Sequence, residues 1–168
     1  MSRQIDYRSA SQYPADDIAA VMLDKEYLEQ RLITLGGPGA ALKEHAAVGD
    51  GGRYRIRHGV DQAALPPFVG SLVSGNLIID RTESLRRTAP GQYAGDVDVR
   101  IPGTPATASG TLALRDTGGG SELLIRATVV VKVPFLGGRI EAVIAEQVKQ
   151  LLAAETAFTL DWLSRKNA

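Results

Sequence analysis

The sequence contains no cysteine, which excludes disulfide bonds, thiolate catalysis and cysteine-ligated zinc. Its only histidines are His45 and His58, and neither has a His-x-x-His partner or a carboxylate cluster at ligand spacing. There is no net charge: 19 basic and 19 acidic side chains cancel. No overall field therefore draws the chain to nucleic acid or to an anionic membrane. No apolar run approaches the ~20 residues of a membrane span. The first residues, Met-Ser-Arg-Gln-Ile-Asp-Tyr-Arg, lack the apolar stretch of a secretory signal. A cytoplasmic protein without stable membrane insertion is expected. Aromatic residues are scarce, at 5%, and do not alternate with the arginines as a single-strand nucleic-acid platform would need. The glycine groups Gly36-Gly37-Pro38-Gly39 and Gly118-Gly119-Gly120 lack a following Lys-Ser or Lys-Thr, so they read as turns and not as phosphate loops.

What is present suits one domain over residues 1–168, long enough to bury a core. Ile5, Tyr7 and Ser9 alternate with polar neighbours and predict a first strand. Tyr13-Pro14-Ala15-Asp16-Asp17 opens a helix, with proline early and two carboxylates at the favourable end of the helix dipole. Apolar positions from Ile18 to Leu35 continue it as two short helices bent near Asp24. From Ala40 to Val133 the pattern has period two. Tyr54, Ile56, His58 and Val60 alternate with Arg53, Arg55 and Arg57, a two-faced strand with a basic outer side. Leu65-Pro66-Pro67-Phe68-Val69 cannot be a central strand, because proline removes ladder donors. It is either a lid or an apolar loop packed on the core. Further strands follow around Leu77–Leu85, Tyr93–Ile101, Ala108–Leu114 and Leu123–Val133. His45 lies on a different, weaker strand from His58.

The chain ends in a helix, predicted from Ile140 to Arg165 and on the order of 40 Å long at ~1.5 Å per residue. Ile140, Ile144, Gln147, Leu151, Ala154, Phe158 and Trp162 recur at helical spacing and predict its buried stripe, widened on its flank by Val143, Val148, Leu152 and Leu163. Glu141, Glu146, Lys149, Gln150 and Asp161 are assigned to the other side. Short Gly-rich connections favour antiparallel neighbours. The expected fold is α+β: a curved antiparallel sheet of about six to seven strands wrapped around the terminal helix, with two short helices after the first strand.

The element order, and the Val133-Pro134-Phe135-Leu136-Gly137-Gly138-Arg139-Ile140-Glu141 junction into the long helix, resemble the START-like helix-grip superfamily. That group includes birch-pollen-type carriers, polyketide cyclases and steroidogenic lipid-transfer domains. Within it the chain is most similar to an actinobacterial branch known only as a domain of unknown function. The resemblance implies a hydrophobic ligand held between sheet and helix. It supplies no universal catalytic residue.

The candidate ligand-binding residues are Tyr54, Ile56, His58, Phe68, Tyr93, Val97, Leu112, Gln147, Leu151 and Phe158. Tyr54, His58, Tyr93 and Gln147 would orient the ligand. His58 shares parity with Tyr54 and Ile56 and should point inward. It is either a polar or acid–base contact, with its reference pKa of ~6.5 near neutrality, or a core histidine satisfied by a neighbour. Arg81 and Glu83 fall on the parity of Leu77 and Ile79. They are either a buried pair at a wet pocket mouth or turned outward by a bulge near Asp80. No catalytic residue, metal or cofactor is assigned. Binding or transport of a small hydrophobic molecule (lipid, polyketide or sterol-like) is the expected function. The alternatives are a cyclase- or aromatase-like enzyme using the same cavity, and a structural domain with a filled core.

Overall fold

The computed structural model describes residues 2–167. Strand β1 (Arg3–Ser11) is followed by helices α1 (Ala15–Met22) and α2 (Lys25–Leu35). Six strands come next: β2 (Ala41–Val48), β3 (Gly51–Val60), β4 (Leu77–Ala89), β5 (Gln92–Arg100), β6 (Ala106–Thr117) and β7 (Gly120–Val131). A 3-10 turn (Gln62–Ala64) and a four-residue helix, α3 (Pro67–Gly70), lie between β3 and β4. Helix α4 (Gly137–Lys166) closes the chain. The strands form one sheet in the order β1-β7-β6-β5-β4-β3-β2, antiparallel throughout.

This order explains the early helices. β1 lies on one edge of the sheet and β2 on the other, so α1 and α2 carry the chain across the whole face between them. α1 starts at Pro14, and its first N–H, from Ala15, is accepted 2.8 Å away by the Asp116 side chain on β6. A strand thus supplies the N-terminal acceptor that the helix's own sequence lacks. In β5 and β6, Gly95 and Gly110 mark where neighbouring backbones come closest. A Cβ there would lie 1.7 Å from the Ser84 carbonyl and 1.9 Å from that of Arg126. Glycine inside a strand fits such close approach in a strongly bent sheet.

Inward residues of the strands meet α4 in two packed groups. One joins α1, α2 and the second half of α4 to Tyr54, Ile56, Leu85, Leu112 and Leu114. The other joins the first half of α4 to Ile5, Ala106, Ala108, Val129 and Val131. The helix-grip architecture expected from the sequence is therefore the one observed.

Three expectations need correction. No bulge occurs near Asp80: β4 pairs with β3 without a break from Leu77 to Arg86, so Arg81 and Glu83 point inward. The buried face of α4 is also turned from the predicted stripe. The flank residues Leu152 and Leu163 are buried together with Ala145, Glu155 and Thr159, whereas Gln147 is exposed. Glu141, assigned to the solvent side, is 1% exposed and accepts the Val131 N–H at 3.0 Å. It satisfies a donor where β7 ends and α4 begins.

Phe135, in the β7–α4 junction, is fully exposed and has φ 67°. The left-handed region costs a non-glycine residue about 1–2 kcal/mol, and an exposed ring returns little of it. Phe135→Gly is expected to stabilise the fold by up to about 1 kcal/mol. Urea unfolding of the two proteins checks this.

Candidate functional site

Midway along the sheet, alternation on β3 turns Tyr54, Ile56 and His58 inward, and on β4 it turns Ile79, Arg81 and Glu83 inward. Tyr54 stands opposite Glu83, Ile56 opposite Arg81, and His58 opposite Ile79. From the helices come Arg31 on α2 and Glu155 on α4. Arg31, Arg81, Glu83 and Glu155 are 3–6% exposed, so four charges lie out of water.

Three of them are joined by hydrogen bonds, and Arg31 adds an ion pair. The Arg81 fork donates from both terminal nitrogens to the two Glu155 oxygens at 2.9 Å each. Its Nε donates to Glu83 Oε1 at 2.7 Å. The Tyr54 hydroxyl donates to the other Glu83 oxygen. Arg31 stands over the Tyr27 ring, 5.5 Å from its centroid, and its Nε lies 3.6 Å from Glu155. That is an ion-pair distance but not a hydrogen bond, and Arg31 Nε and Nη2 have no acceptor among the described residues. Two positive and two negative groups make a neutral quartet.

The quartet sets the titration of the site. Burial pushes the Glu155 carboxyl up, but Arg31, Arg81 and the Arg81 hydrogen bonds outweigh burial and bring it to about 2. Burial, reinforced by the Glu83 charge, pushes the Tyr54 hydroxyl well above its ordinary value. Burial and then the Arg81 charge lower His58 to about 4, so its ring is neutral near pH 7. His58 is 4% exposed, and its Nε2 has no partner among the described residues.

Two hollows flank the quartet. The larger, about 100 Å³, is almost wholly apolar, with walls that include Ile5, Val97, Val129, Val148 and Leu151, and His58 as a polar point. The smaller, about 50 Å³, is edged by hydroxyls of Tyr7, Ser9, Ser121 and Thr156, and by Arg31. Arg81 and Glu83 border both, as do Ile125 and Leu152. The ion network is the partition between the two.

Of the ten residues predicted to bind, His58, Val97 and Leu151 line the larger hollow. Leu112 lines the smaller one. Tyr54 and Ile56 are buried beside the partition without lining either hollow. Tyr93 lies at the far end of β5, where its hydroxyl donates to Asp16 at 2.7 Å. Phe68 is covered by the Arg139 guanidinium, 4.4 Å from its centroid. Phe158 belongs to an aromatic group with Tyr27 and Trp162. Gln147 is turned to solvent because the helix is rotated from the predicted phase. Arg31 and Glu155 were not predicted. Their signal was positional: Arg31 follows Tyr27 and Leu28 at helical spacing, and Glu155 lies between Leu152 and Thr159.

Among the described residues no group of three or more His, Asp or Glu is placed to hold a metal ion. No helix of the described residues is long and apolar enough to cross a membrane.

Residues 6–163 match a family described as "Protein of unknown function (DUF2505)". The chain belongs to that family. An uncharacterised protein of Mycobacterium tuberculosis and one of Mycobacterium bovis are each 26% identical to the DUF2505 chain, over 98% of both sequences. Among solved structures, norcoclaurine synthase from Thalictrum flavum superposes with a TM-score of 0.62 at 15% identity, covering 97% of this chain and 87% of that one. A protein from Thermus thermophilus gives 0.60 at 16% identity, covering 95% and 98%. At this identity the likeness is one of fold, the helix-grip α+β fold. Norcoclaurine synthase is also solved in complex with dopamine and hydroxybenzaldehyde, with a TM-score of 0.59 at 15% identity, covering 98% of this chain and 88% of that one.

Two outcomes test the quartet. Glu155→Gln leaves two buried guanidinium groups facing one carboxylate, and should cost about 3–5 kcal/mol in chemical denaturation. The His58 pKa is depressed from 6.5 to about 4 on folding. The native state then binds fewer protons than the unfolded chain, so stability is complete above pH 6.5 and falls as pH drops towards 4, by about 3 kcal/mol in all. Glu155, lowered from 4.5 to about 2, adds a further loss only below pH 4.5. Denaturation midpoints at pH 7 and pH 5 should therefore differ less in His58→Leu than in the native protein.

Proposed function

We propose that the protein binds a compact apolar molecule in the hollow between the sheet and α4. One observation carries this reading: between the sheet and α4 the interior holds an almost wholly apolar space of about 100 Å³. Close-packed interiors leave few voids larger than water, and those that persist unfilled are apolar. The volume sets the scale of the ligand. Ligand sites usually begin near ~300 Å³, so a sterol or long polyketide would need the hollow to enlarge, whereas a short-chain or single-ring molecule needs little change. Burial at ~25 cal/mol per Å² of apolar surface supplies the affinity. The complex of norcoclaurine synthase with two single-ring compounds is an example of the same fold holding molecules of that size.

An enzymatic reading has less support. Acid–base catalysis needs a free group whose pKa suits its task. Glu83 and Glu155 are tied up in ion pairs, and His58 is a weak base at about 4.

Native mass spectrometry of freshly purified protein, compared with a denaturing spectrum, should show an adduct lost on denaturation. Ala108→Leu, which fills the hollow's wall at a cost of about 1–3 kcal/mol, should lose that adduct while keeping its circular dichroism. A native spectrum at the bare chain mass, from protein that also fails to take up added benzene, would overturn the reading.

A further inference from the structure

Three connections gather at one end of the sheet. β3 ends and β4 begins there, β5 ends and β6 begins, and β7 ends ahead of α4. The connections are residues 61–76, 101–105 and 132–136. Two contacts tie them together. The Lys132 N–H donates to the Pro105 carbonyl at 3.2 Å, and the Arg139 guanidinium, in the first turn of α4, lies over the Phe68 ring. The turns at the opposite end, 49–50, 90–91 and 118–119, hold only glycine, aspartate and proline.

Phe135 stands out at this end. Its ring is fully exposed, and its backbone holds φ 67°. A left-handed conformation is a genuine outlier for a bulky residue, and an exposed ring gains nothing that offsets it within the free chain. Such strain clusters at functional sites. Leu72, in the β3–β4 connection, is exposed as well. The charge at this end is one-sided. Arg3, Lys132 and Arg139 are exposed, and none has an ion-pair partner among the described residues. The three connections contain one carboxylate, Asp61, and its side chain accepts the Ala63 N–H.

This pattern bears on what covers the surface. A stable protein interface buries about 800 Å² on each partner around a packed apolar core. One protruding ring and one leucine are too little apolar surface for that. A bilayer surface asks for less: an aromatic or leucine side chain in the headgroup boundary, with lysine or arginine beside it to meet anionic lipid. The zero net charge of the chain does not oppose this. Screening limits the reach of each charge to ~10 Å, so the field at this end is the local one.

We propose that this end of the sheet docks on a bilayer surface carrying anionic lipid, with Phe135 entering the headgroup boundary and Lys132 and Arg139 meeting lipid phosphates. The contact is peripheral, since no helix of the described residues is long and apolar enough to cross a membrane. It needs no molecule in the hollow, so it stands or falls apart from the binding function.

The test is flotation of the full chain with vesicles of phosphatidylcholine and phosphatidylglycerol, three parts to one, against vesicles of phosphatidylcholine alone. The protein should float with the mixed vesicles, less with the neutral ones, and less with the mixed ones as salt is raised. Phe135→Gly should bind about tenfold more weakly while folding more stably, so docking and stability move in opposite directions. Lys132→Gln should lose about fivefold, on the mixed vesicles only. Phe135→Trp should keep its binding and show a blue-shifted emission on the mixed vesicles. The native protein, whose single tryptophan, Trp162, lies near the far end of α4, should show no such shift. Arg86→Gln removes an exposed cation near the opposite end of β4 and should bind like the native protein. Failure of the native protein to float with the mixed vesicles would overturn the proposal. So would equal binding by Phe135→Gly and the native protein, or equal losses in Lys132→Gln and Arg86→Gln. Self-association that needs Phe135, without vesicle binding, would give the surface to a second copy instead.

Discussion

A carboxylate in the buried face of a helix has to meet positive charge, because removing it from water alone costs several kcal/mol even after the protein relaxes. Glu155 meets two guanidinium groups. One comes from α2 and the other from β4, elements separated in sequence by strands β2 and β3. That single carboxylate therefore sets where three elements lie relative to one another. Turning α4 by one residue, about 100°, would leave Arg31 and Arg81 facing Glu83 alone. The rotation of α4 away from its apparent apolar stripe follows from this. Leu152 and Leu163 keep their burial, and Phe158 and Trp162 are half-buried where they pack against Tyr27.

The same network divides the interior by character. On one side the strands offer Ser9, Ser121 and Tyr7, and the space is small and hydroxyl-edged. On the other they offer Ile5, Ala106, Ala108 and Val129, and the space is larger and apolar. Among the described residues, two buried Arg31 nitrogens and the buried His58 Nε2 have no hydrogen-bond partner. The site is thus more specific than a greasy cavity. Its polarity is concentrated in one neutral partition.

Much of the architecture was legible in the sequence because period-two and helical patterns report burial when the buried residues are apolar. β3, β5 and β6 follow the alternation closely, and the bend near Asp24 falls where α1 gives way to α2. The pattern misleads where burial is polar. Glu141 reads as solvent-facing until the Val131 N–H is known to be beside it, and Glu155 gives no sign of its role until the two arginines are. At β4 the parity did report the truth, since Arg81 and Glu83 lie on the face of Leu77 and Ile79. What the sequence withheld was Glu155, the partner that makes their burial tolerable. Predicted site residues that lie away from both hollows do so for a related reason: parity assigns a face but not a position along the strand. Tyr93 is on β5 with Val97, but it lies at the end beside α1.

A buried ion pair is weak evidence for stability, since well-packed apolar residues of the same volume often serve as well or better. The quartet therefore calls for another explanation, and its geometry offers one. An arginine fork bonded to two carboxylates has a fixed plane and length. Arg81 and Glu155 join β4 to α4 through such a bridge, which sets how closely the helix can approach the sheet there. Apolar side chains could slide and let α4 settle, whereas the bridge holds its spacing. Beyond it, Ala106, Ala108 and Ala127 are too short to fill what remains. The hollow is the space left when a rigid polar strut and small residues occur side by side. A core built of larger apolar residues alone would have closed it.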